Sequence, residues 1–312
     1  MYALVGDTGF VGSNLYRKGG FDCGFHSRNI GDAYGLKPEL LVYAGLRAEK
    51  YLANRAPEKD LELIRQAEEN IRRIAPEKLV LISTVDVFRD PRGVDESSPV
   101  ETEGLQAYGL NRYRLECRVR ERYPDALIVR LPGLFGKNIK KNFIFDYIRR
   151  IPQMLNGQKF QELSARAEEL ARYYELQDNG FYRCRKLDAG EEAALREIFR
   201  RLGFSALCFT DSRSRYQFYP LDRLWEDIQT ALRAGLTLWH PATEPVTAGE
   251  LYEYLEGEPF VNELPGTAAD YDYRTRYDRL FGGDNGYILS REDVMEAVRK
   301  FVLEEMRGSD EG

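Results

Sequence analysis

The chain has 312 residues, enough for one large α/β domain or two smaller ones. Hydrophobic residues make up 43% and can fill a sizeable core; charged residues make up 31% and the net charge is −6 with no long basic run, which excludes nucleic acid as the expected partner. No run approaches the roughly 18 apolar residues of a membrane span, and four scattered cysteines with two histidines offer no metal-ligand spacing. A strand at the very start leaves no room for a leader, so the expectation is a cytoplasmic protein with reduced thiols and no metal.

The first predicted strand, Tyr2–Val5, runs directly into Gly6-Asp7-Thr8-Gly9-Phe10-Val11-Gly12 and then Ser13-Asn14-Leu15. A glycine-rich turn between a strand and a helix lets the backbone approach a pyrophosphate, while the helix start points free N–H groups and a positive dipole end at it. The spacing is GxxGxxG. Gly6, Thr8, Gly9, Phe10, Val11 and Gly12 are therefore the candidate dinucleotide-binding residues. A short strand around residues 23–26 follows, then Ser27-Arg28-Asn29. Enzymes that bind NAD usually carry an acid at the end of this strand to hold the ribose 2′-hydroxyl. None is present in that stretch, and Arg28 could pair with a 2′-phosphate, which favours NADP over NAD.

Further apolar runs at 40–44, 78–83 and 126–131 alternate with helical patterns. The clearest helix is 58–74, where Leu61, Ile64, Ala67 and Ile71 recur at helical spacing. Alternation of this kind predicts parallel strands with crossover helices, buried on both faces. The expected architecture is α/β, a Rossmann-type doubly wound parallel sheet over residues 1–150, with a smaller C-terminal substrate lobe over 151–312.

Beyond residue 140 the rhythm changes. Helices are predicted at 142–151, 160–177 and 191–202, the last two separated by Asp178-Asn179-Gly180, so that 152–208 reads as a helical insertion. A helix at 222–234 follows an aromatic stretch. Thr247-Ala248-Gly249-Glu250 has the form of a capping box opening a helix at 251–255, and a last helix is predicted at 291–306.

Several of these segments, in this order, resemble the extended short-chain dehydrogenase/reductase family, also called the NAD-dependent epimerase/dehydratase family. They are Thr8-Gly9-Phe10-Val11-Gly12-Ser13, Leu41-Val42-Tyr43-Ala44-Gly45, Ile82-Ser83-Thr84-Val85-Asp86-Val87-Phe88, Tyr108-Gly109-Leu110-Asn111-Arg112, and Val129-Arg130-Leu131-Pro132-Gly133-Leu134-Phe135-Gly136. The resemblance covers most of 1–150 and roughly 210–305; residues 152–208 have no counterpart. It implies hydride transfer with NAD or NADP on a nucleotide-linked sugar, with Ala44 and Gly45 beside the adenosine and a homodimer formed through the helices near 58–74 and 104–123.

By position, Thr84 would fix the reacting oxygen and Tyr108 would exchange its proton. Arg112 stands where the family has the lysine of its YxxxK pair. It keeps a positive charge, but a planar guanidinium does not replace a compact ammonium. Asp86 lies where sugar dehydratases of the family carry an acid, although their neighbouring Asp is here Val85. Gly133 replaces an Asn that contacts the substrate diphosphate in several relatives, with Lys137, Asn138, Lys140 and Lys141 as substitutes nearby. Tyr216, Phe218, Tyr219, Trp225 and Trp239 could stack on a base or sugar, or fill the core. Two functions follow: an NAD(P)-dependent oxidoreductase or epimerase of a nucleotide-linked or related sugar, or a dinucleotide-binding module with reduced catalysis, serving redox sensing or scaffolding.

Overall fold

The computed structural model describes residues 1–310, with side chains to residue 307. The chain divides into two compact units. The first comprises residues 1–138, 215–246 and 270–294; the second comprises 139–214, 247–269 and the residues from 295 onward.

The first unit is built on six parallel strands. Five are β1 (Tyr2–Val5), β2 (Cys23–Phe25), β3 (Leu40–Tyr43), β4 (Lys78–Thr84) and β5 (Leu127–Leu131), and the sixth is the short edge strand Leu238–Trp239. Their spatial order is β2-β1-β3-β4-β5-edge, each pair parallel. Strand residues alternate between two apolar cores. Leu4, Val42, Val80 and Val129 face one side and pack with Leu15, Leu224, Trp225 and Ile228. Ala3, Val5, Leu41, Leu79 and Ile128 face the other side and pack with Ile64, Ala67, Ile71, Leu115 and Val119. Helices thus cover both faces, as the uninterrupted apolar strands require. The layer of Leu15 and Leu224 comes from α1 (Phe10–Lys18) and the helix Leu224–Arg233. The opposite layer comes from α3 (Pro57–Ile74), which follows the short α2 (Lys50–Arg55), and from α4 (Ala107–Arg122). This is the expected Rossmann-type doubly wound sheet. Its strand order reverses between β1 and β3, where open α/β sheets bind ligands beyond the carboxyl ends of their strands.

In the second unit the stretch expected as a helical insertion is only partly helical. Helices Gly157–Ser164 and Ala189–Leu202 flank a three-stranded antiparallel sheet of Met154–Asn156, Tyr174–Leu176 and Phe181–Cys184. The helix expected at 160–177 ends at Ser164, and its last residues form a strand. The physical reason is the Asp178-Asn179-Gly180 turn, with Gly180 at φ +81°, which closes a hairpin instead of separating two helices. Phe160 stacks on Tyr182 at 3.7 Å between ring centroids, tying helix to hairpin. The expected capping box is present: Thr247 Oγ1 accepts from the Glu250 N–H at 3.0 Å, and the Glu250 carboxylate accepts from the Thr247 N–H at 2.8 Å. Among the described residues no helix is long and apolar enough to cross a membrane, and all four cysteines are free thiols.

Candidate functional site

The turn after β1 is held by close backbone contacts. Gly6 has φ +97° and donates its N–H to the Phe25 carbonyl at 2.6 Å. A Cβ at Gly6 would lie 2.5 Å from the Ala44 carbonyl oxygen, and one at Gly12 would lie 2.0 Å from the Gly6 oxygen. Only glycine permits either approach. The loop is thereby pressed against Ala44 and Gly45 at the end of β3, at the reversal of strand order. Helix α1 follows its N-cap Gly9 with no side-chain cap and no acid in its first turn, so that among the described residues its first N–H groups meet no anionic partner. Behind them the buried Asn14 donates to the carbonyls of Phe10 and Lys137, both at 2.8 Å, and holds the helix start in place. Thr8 and Gly9 are exposed; Phe10 and Val11 are partly buried.

The end of β2 differs from the sequence expectation. Although residues 23–29 contain no acid, a carboxylate is there: Asp7, from the glycine turn. It is 3.1 Å from His26 Nδ1, and its Oδ2 lies where a Cβ on Gly24 would come within 2.8 Å. Arg28 is exposed, with no ion-pair partner among the described residues. The turn was recognised for its glycines, and the acid between them was overlooked because its partner is 19 residues away.

Thr84 is the last residue of β4, and its hydroxyl accepts from the Asp86 N–H at 3.1 Å. Tyr108 lies on the first turn of α4, its backbone N–H donating to Asn54 Oδ1 at 2.9 Å. The helix is seated by Gly109, where a Cβ would stand 1.9 Å from the Asp86 carbonyl oxygen. One glycine therefore brings Tyr108 against the turn that follows Thr84. The Tyr108 side chain is 7% exposed, and among the described residues its hydroxyl has no hydrogen-bond partner. Burial pushes the phenol above its ordinary titration range, against the lowering effect of Arg112.

Arg112 is 3% exposed and does not reach that hydroxyl. Its guanidinium donates to Asp60 on α3 at 2.5 Å, to the Arg47 carbonyl at 2.8 Å and to the Tyr108 carbonyl at 3.3 Å. It also lies over the Tyr108 ring, 4.0 Å from the centroid. A cation from another element also acts on the phenol. Lys50 Nζ donates to Asp86 Oδ1 at 2.8 Å and to the Tyr271 hydroxyl, which itself donates to Asp86 Oδ1 at 3.3 Å. Neither Lys50 nor Tyr271 was singled out from the sequence, because they meet Asp86 from 36 residues before it and 185 after it.

Below Thr84, Ser83 donates to the fully buried Glu116 at 2.5 Å, and Glu116 is paired with Arg130 at 2.7 Å. Arg130 Nη1 is 3.5 Å from His240 Nε2, while His240 Nδ1 donates to the Arg274 carbonyl at 3.1 Å. Burial and the Arg130 charge lower the His240 pKa to about 3, so the ring is neutral. Gly133 pairs in register with Phe218, and a Cβ there would lie 2.8 Å from the Gln217 carbonyl, which leaves no room for an asparagine. Trp239, Tyr219 and Phe218 are at most 2% exposed and Trp225 6%, so these rings fill the core and present no stacking face. Lys137, Asn138, Lys140 and Lys141 are exposed.

No protein-family model and no curated protein matches the sequence. Solved structures do resemble it. A dTDP-4-dehydrorhamnose reductase from Bacillus anthracis in complex with NADP aligns at TM-score 0.61 and 16% identity, over 97% of this chain and 97% of that one. The UDP-glucose 4-epimerase of Thermotoga maritima with UDP-glucose aligns at 0.61 and 14%, over 98% and 100%. The enzyme WbmG of Bordetella bronchiseptica, in complex with NAD and UDP, aligns at 0.63 and 12%, over 98% and 94%. The fold is that of these three structures. Near-complete coverage in both directions extends the likeness beyond the sheet to the whole chain.

Proposed function

We propose that this protein is an NAD(P)-dependent reductase or epimerase acting on a nucleotide-linked sugar. The observation that carries the reading is the seating of α4 through Gly109 on the carbonyl of Asp86, in the turn that follows Thr84, with the Tyr108 hydroxyl free of any hydrogen-bond partner among the described residues. A dinucleotide fits the glycine turn: the places where Cβ atoms would stand at Gly6 and Gly12 are taken by backbone, and the start of α1 has unpaired donors. The bound nicotinamide would supply the hydride acceptor or donor. Ala44 and Gly45 would border the adenosine half, and Asp7 or Arg28 would meet the ribose 2′ position.

Thr84 would hold the substrate oxygen by a hydrogen bond, and the Tyr108 hydroxyl would give or take its proton. Arg112 would act through the ring face, where a cation stabilises a developing phenolate without touching its oxygen. The NADP, NAD, UDP-glucose and UDP bound in the similar structures support this choice of ligand class. Replacing Tyr108 by Phe tests the reading. Turnover on nucleotide sugars is expected to fall about 10²–10⁴-fold with coenzyme affinity nearly unchanged, and unaltered turnover would refute it.

A second reading has its own observation. Arg112 spends its donors on Asp60 and on backbone carbonyls, and the phenol is held protonated by burial. Both favour a dinucleotide-binding module of reduced catalysis. Tight coenzyme binding with no turnover across a panel of nucleotide sugars would select it.

A further inference from the structure

Helix α4 offers the Tyr108 hydroxyl no free cation, since Arg112 is buried beneath the ring with its donors engaged. A second cation that acts on the phenol is the ammonium of Lys50 at the start of α2. An ammonium has three donors. Lys50 gives one to Asp86 Oδ1 and one to Tyr271, and with 45% of the side chain exposed the third is unspent. Asp86, which anchors this ammonium, also supplies the carbonyl on which Gly109 packs. A single turn therefore anchors both the ammonium and the helix that carries the tyrosine. Around Tyr108 the charged groups are Arg112 on its own helix, Asp60 on α3, Lys50 on α2 and Asp86 on the turn after β4.

We propose that Lys50 is the positioning cation of this site: it supplies from α2 the ammonium charge that the YxxxK pattern puts on the tyrosine helix. The inference rests on the functional reading above. Lys50 acts on the phenolate by its field, and Asp86 opposes that field, so the two side chains set the phenol's proton affinity in opposite directions.

The test is a titration of the full chain labelled with [13Cζ]tyrosine, free of coenzyme, with the Tyr108 resonance assigned through Tyr108→Phe. Lys50→Met is expected to move the Tyr108 midpoint upward by about half to one pH unit. Asp86→Asn is expected to move it downward, and Lys50→Arg to restore the parent value. A midpoint that stays put in both Lys50→Met and Asp86→Asn overturns the proposal, as does a shift of the same sign in both. The pH profile of kcat/KM should follow the same displacements, which a merely structural lysine would not produce. Because the titration needs no coenzyme, it judges Lys50 even if calorimetry with NAD(H) and NADP(H) shows no dinucleotide binding and the functional reading fails.

Discussion

The Arg112 guanidinium lies over the ring of Tyr108, 4.0 Å from its centroid, while its Nη1 holds Asp60 at 2.5 Å. The two ionised groups are 4% and 5% exposed by side chain. Removing one partner of such a buried pair leaves an uncompensated charge, which costs about 3–5 kcal/mol. Arg112→Met and Asp60→Leu should each lower the melting temperature markedly, and the double variant should recover much of the loss. Arg112→Lys keeps the charge but loses the fork of donors, and is expected to fall between. Thermal unfolding of the four variants beside the parent measures all of this.

Gly109→Ala should cost stability and activity together. The new methyl carbon would stand 1.9 Å from the Asp86 carbonyl oxygen, so α4 must move off the turn, at roughly 1–3 kcal/mol of overpacking. Tyr108 moves with it. The expected result is a fall in kcat far beyond what the modest loss in melting temperature would explain. A fully active Gly109→Ala enzyme would contradict the seating described above.

On the proposed function, coenzyme choice would fall to Asp7, which meets the end of β2 at Gly24 and His26, and to Arg28 in the loop that follows. A carboxylate welcomes a ribose hydroxyl and repels a 2′-phosphate. Asp7→Ala should tighten NADPH relative to NADH by about tenfold, equivalent to about 1.4 kcal/mol. Arg28→Ala should change the ratio in the opposite sense. Fluorescence titration with both reduced coenzymes gives the two ratios.

His240 predicts a loss of stability in acid. Its folded pKa of about 3 lies below the ordinary value of 6.5, so the unfolded chain binds the proton first as pH falls. The stabilisation is fully present above pH 6.5 and is lost between there and about pH 3, at up to about 1.4 kcal/mol per pH unit. His240→Gln, which keeps a donor for the Arg274 carbonyl and an acceptor for Arg130, should flatten that part of the stability profile measured by denaturant midpoints.

What could be read from the sequence was what is local. Strands β1, β3, β4 and β5 are unbroken apolar runs, α3 has a clean helical period, and Thr247 and Glu250 sit three residues apart. Each signal is contained within its own segment. Gly6 and Gly12 were legible for the same reason, and the structure supplies the cause in the backbone oxygens that crowd them. The surroundings of Tyr108 were not legible, because Lys50, Asp60 and Tyr271 are ordinary surface residue types at their own positions. Their meaning arises only when α2, α3 and the segment near 270 are folded against the turn after β4. The hairpin at 174–184 was missed because Tyr174–Leu176 and Phe181–Cys184 are too short to establish a period, and tertiary pairing decides such segments.

The first unit is written in three separate stretches of chain, 1–138, 215–246 and 270–294. On a ribosome β5 emerges long before Leu238–Trp239, the strand that pairs with its outer edge. At about 5–20 residues per second the intervening hundred or so residues take on the order of 5–20 s to synthesise. Through that interval the nascent sheet carries an open apolar border able to pair with a neighbouring chain. The order in which its segments are encoded therefore sets an interval of synthesis during which that border stands uncovered.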